Sequence, residues 1–334
     1  MTEVLVTGAN GFVGSTLCSK LVERGDHVRA LIRPTSDRAL LDGIPAGIYE
    51  GSLEEPVSLQ AATAGVEIVY HVAAAVSDWG PIEYFRRVNV EGTRRLLDAC
   101  VLNRVQRFVY VSTVAVHSFI DAQDMDEESP QLPTPFPYCQ SKREAESLVR
   151  SYHARGDLAI TIIRPGDVFG PGDRVALLRL APLLESGLTA VVGRGRKLGA
   201  FTYVENLADG LILAGTSEQA AGEAYVITDG IKLSWGEYLR RLTTALELPP
   251  PRLSLPPFAV SLAATLLESV YRLFGLRDRP PITLYLVTHL TNDFHFRIDK
   301  ARRELGYEPG VDIDEAIRRT AAWYQEVVRE KRPA

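Results

Sequence analysis

The strongest constraint on the fold lies at the start of the chain. An apolar run, Val4-Leu5-Val6-Thr7, leads into Gly8-Ala9-Asn10-Gly11-Phe12-Val13-Gly14, and a helical pattern then runs from 11 to 24. The glycines are spaced G-x-x-G-x-x-G. In a strand–turn–helix unit the first glycine permits a sharp turn, the second lets backbone approach a pyrophosphate, and the third lets helix pack on strand. The helix N-terminus adds unpaired N–H groups and a partial positive charge. A glycine triplet alone is weak; between an apolar strand and a helix it reads as a dinucleotide-binding turn, against the plainer reading of a ligand-free tight turn.

The alternation continues. Residues 28–32, 68–72, 107–112 and 160–164 are further β-branched runs, separated by helical patterns clearest over 84–102 and 138–155. This predicts an α/β fold: a doubly wound parallel sheet covered by helices on both faces. The regularity decays after about residue 168, where Gly and Pro become dense. Residues 1–167, rejoined by 199–227, are expected to form the dinucleotide-binding domain. Residues 168–198 and 228–334 form a smaller, discontinuous substrate domain closed by an amphipathic helix over 312–329. The acid- and proline-rich stretch 121–137 reads as an exposed loop.

Composition narrows the function. The 334 residues carry 37 basic and 42 acidic side chains, a net charge of −5, so nucleic acid is not an expected partner. Cys18, Cys100 and Cys139 lie far apart with no metal-ligand spacing, which predicts no metal site and reduced thiols in a cytoplasmic setting. Neither a signal peptide nor an apolar run long enough to span a bilayer is visible.

Two positions bear on chemistry. After the second strand, where a carboxylate would accept from the 2′-hydroxyl of NAD(H), the chain has Arg33, with Arg38 near. A guanidinium can fork onto a 2′-phosphate, so NADP(H) is favoured over NAD(H); the plainer reading has Arg33 stacked on adenine or facing solvent. Tyr138 and Lys142, at i and i+4, share a helix face. An ammonium near a phenol stabilises the phenolate and fits the phenol for proton transfer to or from an alcohol or ketone. Thr113, just past the 107–112 strand, can hydrogen-bond the substrate oxygen.

These residues resemble a known family, the extended short-chain dehydrogenase/reductases. The resemblance spans essentially the whole chain: Thr7 to Gly14, His71-Val72-Ala73-Ala74, Val88-Asn89-Val90-Glu91-Gly92-Thr93, Val111-Ser112-Thr113, Tyr138-x-x-x-Lys142, Arg164-Pro165-Gly166 and Tyr203-Val204-Glu205-Asn206. It implies that Tyr138 is the acid–base and that Lys142 also binds the nicotinamide ribose. It further implies that Thr113, rather than Ser112, orients the carbonyl, and that Asn89 supports the active-site helix and a water relay. Cofactor contacts implied are Gly8, Asn10, Gly11, Phe12, Val13, Gly14, Arg33, Ser52, Leu53, Ala73, Ala74, Tyr138, Lys142, Pro165, Gly166 and Val168. One departure is Gly51-Ser52-Leu53, where the family usually has Gly-Asp-Leu and the Asp contacts adenine. The family also often dimerises through the 84–102 and 138–155 helices.

Within the family, Ser77-Asp78-Trp79-Gly80, the run from Arg164 to Asp173, the run from Ala200 to Asn206, and Thr228-Asp229-Gly230 resemble the 3β-hydroxysteroid and sterol-4α-carboxylate dehydrogenase branch. The resemblance implies reversible hydride transfer on a secondary alcohol or ketone of an apolar, sterol-like substrate, with 4-decarboxylation where a carboxylate neighbours the ketone. A nucleotide-sugar epimerase or reductase is the alternative, with Arg194, Arg196 and Lys197 available for a diphosphate. A non-catalytic dinucleotide sensor is the second alternative, against which the Thr113/Tyr138/Lys142 set argues. His71 reads as packed beside the cofactor, Cys139 as a helix-surface thiol, Arg86-Arg87 and Arg94-Arg95 as solvated, and Asp78-Trp79-Gly80 as either pocket lining or a turn. Residues 253–276 form a helix so widely apolar that something must cover it: the sheet domain, the substrate pocket, or a membrane interface to which the protein is peripheral.

Overall fold

The computed structural model describes residues 1–326 except 175, 188 and 277. Seven strands form one sheet: β1 (Glu3–Thr7), β2 (His27–Ile32), β3 (Gly47–Glu50), β4 (Ile68–His71), β5 (Arg107–Val111), β6 (Ala159–Pro165) and β7 (Ala224–Ile227). Their order is β7-β6-β5-β4-β1-β2-β3, and every pairing is parallel. β1 pairs with both β2 and β4, so the strand order reverses there. In open α/β sheets ligands bind outside the carboxyl ends of the strands at such a point.

Alternation along each strand builds two cores. Val4 and Val6, Ala30 and Ile32, and Val109 and Val111 face α1 (Phe12–Glu23) and a helix at Val204–Thr216. Leu5, Leu31, Val69, Phe108 and Tyr110 face the opposite layer: α2 (Pro56–Thr63), α3 (Gly92–Leu102) and α4 (Pro137–Ala154). Leu96 and Leu97 are wholly buried, each worth about 1.5–3 kcal/mol of apolar transfer. Neither β3 nor α2 stands out in the hydropathy, because β3 buries none of its residues fully and α2 buries only Leu59, Ala62 and Thr63.

The pattern over 84–102 is interrupted. Ile82–Phe85 is α-helical, Arg86–Glu91 is a π segment, and α3 follows. The wider turn carries Asn89, and π insertions concentrate at functional sites.

A third core, with Phe169, Phe201, Tyr203, Tyr238, Leu242, Ile317 and Tyr324, gathers the C-terminal segments. The closing helix is Ile313–Tyr324, capped by Asp312, whose carboxylate accepts from Asp314 N and Glu315 N. Residues 327–329 of the expected helix lie outside the described residues. The 121–137 stretch is more tied down than an exposed loop. Ala122–Met125 is a strand paired with Phe294–Phe296, and Glu127 accepts from the Val226 N–H of β7 at 2.7 Å.

Candidate active site

The singled-out residues meet at the carboxyl ends of the strands. Gly8 follows β1, Arg33 follows β2, Ala73 and Ala74 follow β4, Thr113 follows β5 and Gly166 follows β6. The glycine turn is sterically fixed. Gly8 has φ +65°, and a Cβ there would lie 2.9 Å from Ala73 Cα; a Cβ on Gly14 would lie 2.2 Å from the Gly8 carbonyl oxygen. No side chain caps α1 at Gly11, so its first amides are left for an anion. This cradle fits a dinucleotide pyrophosphate. Asn10 Nδ2 donates to Asp37 O at 3.0 Å, joining the turn to the loop after β2. In that loop Arg38 pairs with Glu50, whereas Arg33 is exposed with no ion pair among the described residues. Ser52 Oγ accepts from Glu54 N, and Leu53 packs on Gly92.

His71 lies beneath the site. Thr93 Oγ1 donates to Asn89 O at 2.7 Å and so accepts from His71 Nε2–H at 2.9 Å. The other nitrogen, Nδ1, then accepts from Thr7 Oγ1 at 2.8 Å, and that oxygen accepts from Ala73 N. The ring is therefore neutral and structural. Burial, reinforced by the Lys142 charge, pushes its pKa down to about 3.

Tyr138 and Lys142 both lie on α4 and are buried. Thr113 lies close enough to the Tyr138 hydroxyl to favour its ionised form. Burial is the largest influence on that phenol and holds its pKa above the ordinary value, against the lowering that the spacing to Lys142 suggests. Lys142 Nζ instead donates to Val111 O at 2.7 Å and sits 4.6 Å from the centroid of the Tyr110 ring. Burial brings its pKa down to about 7, with Glu146 opposing. Asn89 works as a clamp. Its Oδ1 accepts from Ala75 N at 2.7 Å, and its Nδ2 donates to Ala75 O and to Ser141 Oγ, one residue before Lys142. Pro165 closes β6. Gly166 N donates to Thr202 Oγ1, and a Cβ on Gly166 would strike Ala200 O. Val168 bridges the first and third cores.

Three side-chain sets emerge only in three dimensions. Glu146, one turn after Lys142, is bidentate to Arg164 (3.0 and 2.7 Å) and accepts from Ser112 Oγ at 2.5 Å. Ser112 is thereby committed to the scaffold. Asp78 binds Arg279 and accepts from Thr283 Oγ1 at 2.7 Å, while Trp79 meets Tyr271 edge-on. The 77–80 segment thus anchors the C-terminal helices. Tyr285, Phe119 and Phe136, with rings 4.9–5.9 Å apart, pack in the same core as Tyr138, and His289 stacks on Phe119 while pairing with Asp167. Helical spacing within 284–291 was the one sequence signal for this cluster.

Cys139 is not a helix-surface thiol. It is wholly buried, and burial pushes its pKa up to about 12. Lys197 is consumed by Asp121 (2.6 Å) and Asp293 (3.4 Å).

Glycine cradle, buried Tyr/Lys pair and strand-end threonine together define a nicotinamide-dinucleotide oxidoreductase site on a doubly wound sheet. The sequence profile of the NAD dependent epimerase/dehydratase family matches residues 4–228. Over 329 residues the chain is 32% identical to a 2-alkyl-3-oxoalkanoate reductase of Stenotrophomonas maltophilia, spanning 96% of this chain and 98% of that one. It is 31% identical to 3beta-hydroxysteroid-dehydrogenase/decarboxylase isoform 2 of Arabidopsis thaliana, over 95% of this chain and 61% of the plant protein. Among solved structures, the dTDP-glucose 4,6-dehydratase DesIV of Streptomyces venezuelae, with NAD bound, has a TM-score of 0.79 at 27% identity and 98% coverage of both chains. The chain belongs to the NAD dependent epimerase/dehydratase family, the extended short-chain dehydrogenase/reductases, and is a nicotinamide-dinucleotide-dependent enzyme.

Proposed function

We propose that the protein is an NADP(H)-preferring oxidoreductase for a secondary alcohol or ketone on an apolar, sterol-sized skeleton. The observation that carries this is the aromatic cluster that shares a core with Tyr138: Phe119, Phe136 and Tyr285 pack on one another, and the lysine available for a sugar diphosphate is tied to two aspartates. Arg194 and Arg196 line an exposed depression with Ser254 and Leu255 that contains none of the catalytic set. Two relatives are named for a 2-alkyl-3-oxoalkanoate and a 3beta-hydroxysteroid, which agrees with a largely hydrocarbon substrate. The exposed Arg33, with no ion pair among the described residues, supports a 2′-phosphate.

When bound, the nicotinamide supplies or takes the hydride. The Gly8–Gly14 turn and the α1 N-terminus would hold its pyrophosphate, and the Pro165-Gly166 turn would meet its nicotinamide. Thr113 and Tyr138 hydrogen-bond the substrate oxygen. Tyr138 keeps its proton in this buried site, so it serves as the acid that protonates a ketone oxygen as that atom gains charge. Lys142, drawn toward neutrality by burial and held to Val111 O, is the residue that would bind the nicotinamide ribose. Asn89 fixes the Ser141–Lys142 turn of α4 against the exit of β4.

The test is loss of reduced-nicotinamide absorbance when the protein and NADPH meet a panel of ketosteroids, long-chain β-keto esters and nucleotide sugars. Turnover of the apolar ketones is expected. Turnover confined to the nucleotide sugars overturns the substrate assignment, and none anywhere favours a dinucleotide sensor.

A further inference from the structure

Helix Pro257–Leu273 turns most of its hydrocarbon outward. Phe258 is 76% exposed, Leu262 and Leu266 are each 59%, and Leu273 and Phe274 are 79% and 71%. The sheet domain does not cover this face. The buried side is a narrow stripe, Val260, Ala264 and Glu268, and its apolar members pack with Val287 of the helix at Leu284–Thr291. Glu268 is the one carboxylate of the helix, and it points inward: it accepts from Leu284 N–H at 2.7 Å and from Arg272 at 3.0 Å. The helix therefore buries its one carboxylate and leaves most of its hydrocarbon outside, against the usual arrangement.

The apolar face continues onto its neighbour and ends in positive charge. Leu253 and Leu255, half-exposed, precede the helix on a strand, Leu253–Leu255, paired in parallel with Ala190–Val192. That pairing brings the segment after Val192 to the helix start, where Arg194, Arg196, Leu255 and Pro256 border one open depression. Arg194, Arg196 and Arg252 are exposed and have no ion pair among the described residues. Among the described residues no helix is long and apolar enough to cross a membrane. An outward hydrocarbon face about 25 Å long, at 1.5 Å per residue, with cations at one end fits the plane of a lipid surface.

We propose that this face docks on an anionic lipid bilayer. Phe258, Leu262, Leu266, Leu273 and Phe274 enter the acyl boundary while Arg194 and Arg196 meet lipid phosphates. The chain's net negative charge makes hydrocarbon burial the larger contribution and the arginines the source of lipid preference. The helix also touches the active site's surroundings through Tyr271 on Trp79, so a docked molecule would hold its catalytic end near the bilayer. Docking itself does not depend on the substrate assignment.

Flotation of the full chain with vesicles tests this. The wild type is expected to rise with phosphatidylcholine/phosphatidylglycerol vesicles, and less with phosphatidylcholine alone. Leu262→Asp/Leu266→Asp should cut binding by at least about tenfold, the factor that burying a single leucine commands. Arg194→Glu/Arg196→Glu should abolish the preference for the anionic vesicles. All four side chains are exposed, so circular dichroism and melting temperature should match the wild type. Absence of flotation by the wild type, or retained flotation by the leucine variant, overturns the proposal. So does a wild-type dimer that the leucine variant dissolves with no vesicle binding by either, since the face would then be an interface between copies.

Discussion

Replacing Arg164 by methionine removes one half of a buried ion pair and leaves the other in place. In the wild type both side chains are nearly inaccessible, and the Glu146 carboxylate has the two guanidinium bonds plus Ser112 and Gln131. Without Arg164, only the last two remain. Breaking a buried pair from one side costs about 3–5 kcal/mol, and the variant also loses the Arg164 bonds to Glu127 O and His117 Nε2. The pH dependence should change sign. In the wild type Arg164 and Ser112 hold Glu146 below its ordinary pKa, so its contribution is present above the unfolded value of about 4.5 and lost as pH falls through the lower folded value. In the variant, burial without a counter-charge raises the folded pKa. Stability is then lost as pH rises from about 4.5, and the variant recovers on mild acidification. Urea midpoints by circular dichroism at pH 7 and pH 5.5 read both effects. Arg164→Met/Glu146→Leu should regain part of the loss, because no buried charge is left unpaired. A single variant within about 1 kcal/mol of wild type, or a double variant no better than the single, refutes the reasoning.

Tyr138→Phe should lower kcat by at least about 10²-fold with cofactor affinity nearly unchanged, measured by turnover and by nicotinamide fluorescence titration; full activity would remove Tyr138 from the mechanism. Arg33→Asp should reverse cofactor preference toward NAD(H), by roughly 10- to 100-fold, the worth of a charge-assisted hydrogen bond. A wild type that already prefers NAD(H) would show that Arg33 holds no phosphate. Burial holds His117 neutral with a pKa of about 4, so its contribution is intact above pH 6.5 and is lost as pH falls from there, when the unfolded state alone takes up the proton. His117→Asn should flatten the stability–pH curve between pH 6.5 and 4 by roughly 3 kcal/mol, read from denaturation midpoints.

The legible parts of this molecule were those where one local pattern has one structural solution. Gly8 and Gly14 could be read because no other residue fits between β1, Ala73 and α1, and the strands β1, β2, β4, β5 and β6 could be read because a parallel sheet buried on both faces needs continuous apolar runs. The i, i+4 spacing placed Tyr138 and Lys142 together, but it could not show that Lys142 turns to Val111 O or that burial is what governs the phenol. Glu146, Arg164, Ser112 and His117 come from four separate elements. The edge strand β3 and helix α2 bury too little to leave a hydropathy signal, and their existence was implied only by the family resemblance.

Residues 253–276 show the limit in a different way. Periodicity established that the helix is apolar around most of its circumference, and from that a cover was expected, with the sheet domain as the plainest candidate. Which side turns inward depends on Glu268. Its carboxylate caps the Leu284 N–H and holds Arg272, so the helix docks on its one acidic residue and on the small Ala264, with the leucines left outside. A stripe containing a carboxylate is normally assigned to solvent from sequence alone, since burying it without partners costs several kcal/mol. Here the partners are a backbone amide at the start of the next helix and a guanidinium one turn on, and the first of them cannot be seen until the two helices are packed. The exposed apolar face follows directly from that reversed orientation, which is why the sequence could show that the face needs a partner but not that the chain leaves it open.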